Sequence, residues 1–128
     1  MGNSTYHKLT AYKKAFEMAL EIFQLTKAFP DDEKYSLVSQ MRRSSRSVCA
    51  NMAEGFRKRQ YPSHFISKIS DADMENSETQ VWVEFSFAFT YLDQATSDRL
   101  ISKSEEIGRL LNHMIMHPEA YQDKRRKK

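Results

Sequence analysis

Basic residues are the first feature of this chain that could do chemistry. From Arg42 to Arg59 it carries Arg42, Arg43, Arg46, Arg57, Lys58 and Arg59 against a single acid, Glu54. Arg42 and Arg46 lie one helical turn apart and share a face. The C-terminus adds Lys124, Arg125 and Arg126 inside a Lys-Arg-Arg-Lys-Lys run. The planar fork of arginine can hold a phosphate with two hydrogen bonds, so these residues are the candidate nucleic-acid contacts. A second reading stands beside the first for Arg42, Arg43 and Arg46. From Asp71 to Asp93 the chain holds Asp71, Asp73, Glu75, Glu78, Glu84 and Asp93 with no Lys or Arg. The basic segment can pair with this acidic one, within a subunit or across an interface. No recognition-helix or base-stacking motif points to reading of base sequence.

The other reactive residue types read as structural. His113 and His117 share a helical face near Glu119, a spacing that could hold a metal ion. Met114 stands where a zincin motif places its glutamate, and the Glu-x-x-His pairs of di-iron bundles are missing. No metal or other cofactor is expected. Ser44, Ser45 and Ser47 have no histidine at a plausible sequence distance, which leaves nucleophilic catalysis unsupported. Cys49 is the only cysteine, so no internal disulfide forms. Among small residues on a helix it reads as a packed thiol. Asn51 is expected in a buried helix contact and Glu54 in a pair with an arginine. Trp82 and the phenylalanines around it read as core. No catalytic residue emerges, and the expectation is a protein that is not an enzyme.

The elements that must position these residues are helices. A chain of 128 residues is one domain by length. Only three glycines and three prolines punctuate it, which favours long helices joined by short loops. A first helix is expected over about 9–29, capped by Thr10 and stopped by Pro30, with Leu9, Tyr12, Phe16, Ala19, Leu20 and Phe23 on its inner face. A second, over about 32–54, would be capped by Asp31 or Asp32 and closed by Gly55 in a left-handed C′ position. Its stripe is Leu37, Met41, Ser44 or Ser45, Val48 and Met52. A third runs from about Pro62 to Leu92, with Phe65, Ile69, Ala72, Asn76, Thr79, Val83 and Phe87 on one stripe. Ile66, Trp82, Phe85, Phe89 and Leu92 form a second, so this helix is apolar on more than one face, as if buried by several neighbours or another subunit. Asp93 to Asp98 reads as a polar connection. A fourth helix over about 97–117 has Leu100, Ile101, Ile107, Leu110, Leu111, Met114 and Ile115 as its core. Short loops force antiparallel neighbours, which gives an all-α, up-down four-helix bundle. The division is an N-terminal extension at 1–8, the bundle at 9–119 and a basic tail at 120–128.

The blocks Leu9-Thr-Ala-Tyr-Lys-Lys-Ala15, Phe29-Pro30, Gln40-Met-Arg-Arg43 and Ser47-Val-Cys-Ala-Asn51-Met-Ala-Glu54-Gly55 are similar to a known family. So are Phe65-Ile-Ser-Lys68, Glu78-Thr79 with Trp82, and Leu110-Leu111. The resembled family is the four-helix bundles encoded in intervening sequences of bacterial large-subunit ribosomal RNA genes. A distant relative is the accessory protein of diversity-generating retroelements, which contacts a reverse transcriptase and nucleic acid. The resemblance implies a bundle that assembles into a homopentameric barrel, and it transfers no catalytic residue. The chain departs from it at Cys49, where many relatives carry proline, and in the acids Asp71 and Asp73.

The expected function is therefore a non-enzymatic homo-oligomeric scaffold whose basic surface binds RNA or DNA through phosphates. The alternative is a module that docks a protein partner without nucleic acid. The N-terminus lacks the apolar core of a signal peptide and no apolar run is long enough to span a bilayer. A cytoplasmic protein with no membrane partner is the expectation. The net charge of +3 is mild, so the distribution of charge, rather than its sum, carries the nucleic-acid reading.

Overall fold

The computed structural model describes residues 5–122. Four helices account for most of them: α1 (Thr10–Thr26), α2 (Leu37–Arg57), α3 (Pro62–Ala88) and α4 (Gln94–Met116). Single 3-10 turns lie at Tyr6–Lys8, Asp31–Glu33 and Pro118–Tyr121. There is no strand among the described residues. Each helix packs antiparallel on its chain neighbours, and α1 closes the bundle on α4. Residue pairs give the register. Ser44 meets Thr79 and Met41 meets Ser86 between α2 and α3. Asn76 meets Ser104 between α3 and α4. Lys14 meets Glu106 between α1 and α4. The α2–α3 loop therefore shares one end of the bundle with the start of α1 and the finish of α4.

The core is built from Ile22, Met41, Met52, Phe65, Ile69, Leu100, Ile107 and Leu111 at its centre, all sealed from solvent. The stripes expected for α2 and α4 are the observed ones, and so is that of α3 except at its last residue. Phe87 is exposed, as are Phe85 and Phe89. The expectation for α1 is overturned. Its inner face is Ala11, Ala15, Met18 and Ile22, whereas Phe16 and Leu20 stand 47% and 53% exposed. The two faces compete at the same helical spacing, and the smaller one lies inside because α1 approaches Ser45, Val48 and Ile107 closely.

Helix ends differ from the sequence expectation in instructive ways. No side chain caps α1 or α2. Asp31 and Asp32 lie in their own 3-10 turn before α2 rather than at its cap. α1 stops at Thr26, four residues short of Pro30, where the Thr26 hydroxyl donates to the Ile22 carbonyl. Asp93 is not loop: it caps α4, accepting from the Thr96 amide at 2.8 Å. That bond holds the Asp93 carboxyl below the usual carboxylate range. Gly55 does not terminate α2. It sits inside the helix, buried, where a Cβ would come within 3.0 Å of Ile69 Cδ1 and 3.1 Å of Lys68 Cβ. The left-handed residue is instead Thr90, with φ 65° after α3. The Tyr91 amide reaches back to the Ser86 carbonyl and the Thr90 amide to that of Phe87, the hydrogen-bond pattern of a Schellman stop.

Candidate nucleic-acid interface

The basic residues of α2 separate into two groups about 16 Å apart along the helix, at about 1.5 Å per residue. The first is Arg42, Arg43 and Arg46. Arg42 is half-buried and turned onto α1. Its Nε donates to Thr26 Oγ1 at 2.9 Å, its Nη2 donates to the Phe23 carbonyl at 3.3 Å, and its guanidinium lies over the Phe23 ring. It ties the start of α2 to the end of α1, adding a second donor to the Phe23 carbonyl that the Thr26 hydroxyl also reaches. Arg43 faces α3. It donates to Glu78 and, at 3.5 Å, to Glu75 Oε2. These partners hold its guanidinium above its ordinary pKa. Burial alone would push the Glu78 carboxyl up; the bonds from Arg43 and Trp82 bring it below its ordinary value. Arg42 and Arg43 are thus tied inside the chain, and Arg43 joins the acidic segment as the second sequence reading has it. Arg46 differs: it is exposed, with no side-chain partner among the described residues.

The second group is the α2–α3 loop. Arg57 and Lys58 are exposed, and no carboxylate pairs with either among the described residues. The Lys58 ammonium lies 6.0 Å from the centre of the Tyr61 ring. Arg59 donates to the Phe56 carbonyl at 2.9 Å and stacks over the Phe56 ring, which aims it along the helix end. Together with Tyr61, His64 and Lys68, Arg57 and Lys58 surround an open hollow of about 630 Å³. The one acid there, Glu54, is engaged by Lys68 at 2.8 Å, not by an arginine as expected. Lys124, Arg125 and Arg126 lie outside the described residues. Their attachment point does not: Tyr121 stacks on Phe65 and meets His113, at this same end of the bundle.

Sequence reasoning missed the partners that only folding collects. His64, Lys68 and Tyr61 belong to α3 or its approach, and reach the loop because α3 turns straight back along α2. Lys34 and Tyr35 likewise join Arg42, Arg43 and Arg46 around a second hollow of about 620 Å³. No sequence spacing announces either set. The remaining candidates read as structure. Asn51 donates to Ser47 of its own helix. Cys49 is buried, which pushes its thiol up to about 11. The rings of His113 and His117 lie 4.6 Å apart and tilted by 43°, and His117 lies 3.7 Å from Glu119. No group of three metal-ligating side chains gathers among the described residues. Nor, among them, is any helix long and apolar enough to cross a membrane.

Comparison with known proteins agrees with the helical-bundle fold. A crystal structure of a protein of unknown function from the S23 ribosomal protein family of Bacteroides thetaiotaomicron superposes with a TM-score of 0.74. It is 29% identical, over 83% of this chain and 95% of that one. A search of curated proteins finds no match. The family model described as 23S rRNA-intervening sequence protein matches residues 7–113, and the chain belongs to that family.

Proposed function

We propose that this protein is a non-enzymatic homo-oligomeric scaffold, pentameric as the family resemblance implies, that binds nucleic acid through phosphate contacts in the cytoplasm. The observation that carries the reading is the α2–α3 loop. Arg57 and Lys58 are exposed and unneutralised among the described residues, beside the aromatic ring of Tyr61 and the acceptor or donor nitrogens of His64. A flexible polyanion finds there fixed cations, a ring for stacking and the attachment point of the basic tail. Rotation about a ring axis sets this end of every copy at one height. The loops would then repeat around the ring, and several weak contacts would act together. Arg42 and Arg43 serve mainly to hold α2 against its neighbours.

Fluorescence anisotropy with a labelled single-stranded RNA, and with DNA of the same sequence, tests the proposal across a salt series. Affinity should fall steeply with salt. In Arg57→Ala/Lys58→Ala the slope of log K against log salt should shrink by about 1.4 to 1.8, about 0.7 to 0.9 for each lost contact. Salt-independent binding, or an unchanged slope in the double variant, would refute phosphate contact at the loop. A protein-docking module is the second reading, favoured by the exposed Phe16 and Leu20 on α1. Retained partner capture after removal of the loop cations and the tail would support it.

A further inference from the structure

Two apolar stripes face outward from this bundle, and they carry opposite charge. On α1, Lys13, Phe16, Leu20, Phe23 and Lys27 recur at alternating three- and four-residue steps, one surface stripe. It borders a groove of about 570 Å³ against α2, floored by the small side chains of Ala50 and Ala53 and edged by Arg46. Small residues let a helix approach closely. On α3, Asp71, Met74, Val81 and Phe85 form the second stripe, flanked by Glu84. Met74 is 69% exposed, Val81 43% and Phe85 45%. Neither Asp71 nor Glu84 makes a salt bridge among the described residues, and neither do Lys13 and Arg46 on the opposite surface. Both stripes extend about 21 Å at about 1.5 Å per residue. Leaving them in water forfeits the apolar gain that their size offers.

We propose that the acidic, apolar stripe of α3 in one copy seats in the basic-edged α1–α2 groove of the next copy. The inference rests on the self-association in the proposed function and names the two surfaces that make it. The mode is a helix laid in a groove, with apolar anchors at three- and four-residue steps and charge fixing the register. α1 and α3 occupy opposite corners of the bundle, so the groove and the stripe are different patches. A contact between them is head-to-tail, and a joined pair keeps one free stripe and one free groove. Such a contact closes into a ring or grows as a filament; it does not stop at a two-fold dimer.

Light scattering on Leu20→Asp and Val81→Asp, singly and mixed, tests this, with circular dichroism reporting the fold. The wild-type chain should be a multi-subunit particle and each variant a folded monomer of 15.0 kDa. The variants spoil opposite surfaces. Mixed one to one, they should form a particle of about two subunits and stop there, because one good contact remains. A wild-type oligomer with either variant unchanged in mass, or a mixture that stays monomeric, overturns the pairing while leaving self-association standing. A wild-type monomer overturns both. Should an aspartate variant unfold, Arg46→Glu and Glu84→Lys replace exposed charges only. Each should weaken assembly tenfold or more, and unchanged assembly in both overturns the pairing.

Discussion

Gly55 is buried against Ile69 and Lys68 of α3, and its missing side chain lets the two helices approach closely there. Gly55→Val would place branched carbon against the Lys68 backbone side of α3, and should cost on the order of 2 kcal/mol, read as a lower urea midpoint. Thr90 makes the reverse case. A β-branched residue at φ 65° is strained, and the Schellman pattern around it needs only backbone. Thr90→Gly should stabilise by about 0.5 to 1 kcal/mol and raise Tm by a few degrees. Between α3 and α4, Asn76 and Ser104 satisfy each other: the Asn76 amide donates to the Ser104 carbonyl and the Ser104 hydroxyl to Asn76 Oδ1. Ser104→Ala leaves that buried oxygen unpaired. Thermal unfolding should show a loss of about 1 to 2 kcal/mol, more than the hydroxyl's size would suggest.

At the scale of the element, α1 carries the largest discrepancy with sequence expectation. Its bulky stripe is outside and its lean one inside. Ile22→Ala should therefore cost about 2 to 4 kcal/mol of bundle stability, whereas Leu20→Asp should act on assembly. α2 and α3 are joined by the Arg43 pair with Glu75 and Glu78. Because the Glu78 carboxyl is held below its ordinary value of 4.5, the pair's contribution is fully present above that value. It is lost as pH falls through the lower folded value. Arg43 and Glu78 are about half and a third exposed, so solvent screening keeps the contribution to about 1 kcal/mol or less. Arg43→Ala should lower the denaturant midpoint slightly at neutral pH and abolish the difference from wild type in strong acid.

For the whole molecule, assembly and nucleic-acid binding are predicted to be coupled through multivalency. One bundle offers one basic end; a ring offers several at fixed spacing. Leu20→Asp leaves the α2–α3 loop untouched, yet it should weaken binding to an RNA long enough to span several loops by about tenfold or more. Binding to a very short RNA should be nearly unchanged. Anisotropy with the two lengths separates the effects, and equal losses on both would tie Leu20 to the local site instead.

Hydrophobic spacing and scarce Gly and Pro determined the helix count, the antiparallel order and the inner faces of α2 and α4. They did so because each helix must bury one stripe and short loops leave no other path. The blocks around Ser47–Gly55 likewise pointed to the family. The sequence alone left open which of two apolar faces of α1 turns inward, since both recur at three- and four-residue steps. Only packing against Ser45, Val48 and Ile107 selects the smaller. It also marked Gly55 as a stop, when a close helix approach uses the same absent side chain. Arg42, Arg43 and Arg46 look equivalent in a linear run. Tertiary structure separates them: Arg42 and Arg43 point about 100° apart around the helix, so one meets the end of α1 and the other the acids of α3, and Arg46, one turn beyond Arg42, faces solvent above an unfilled groove.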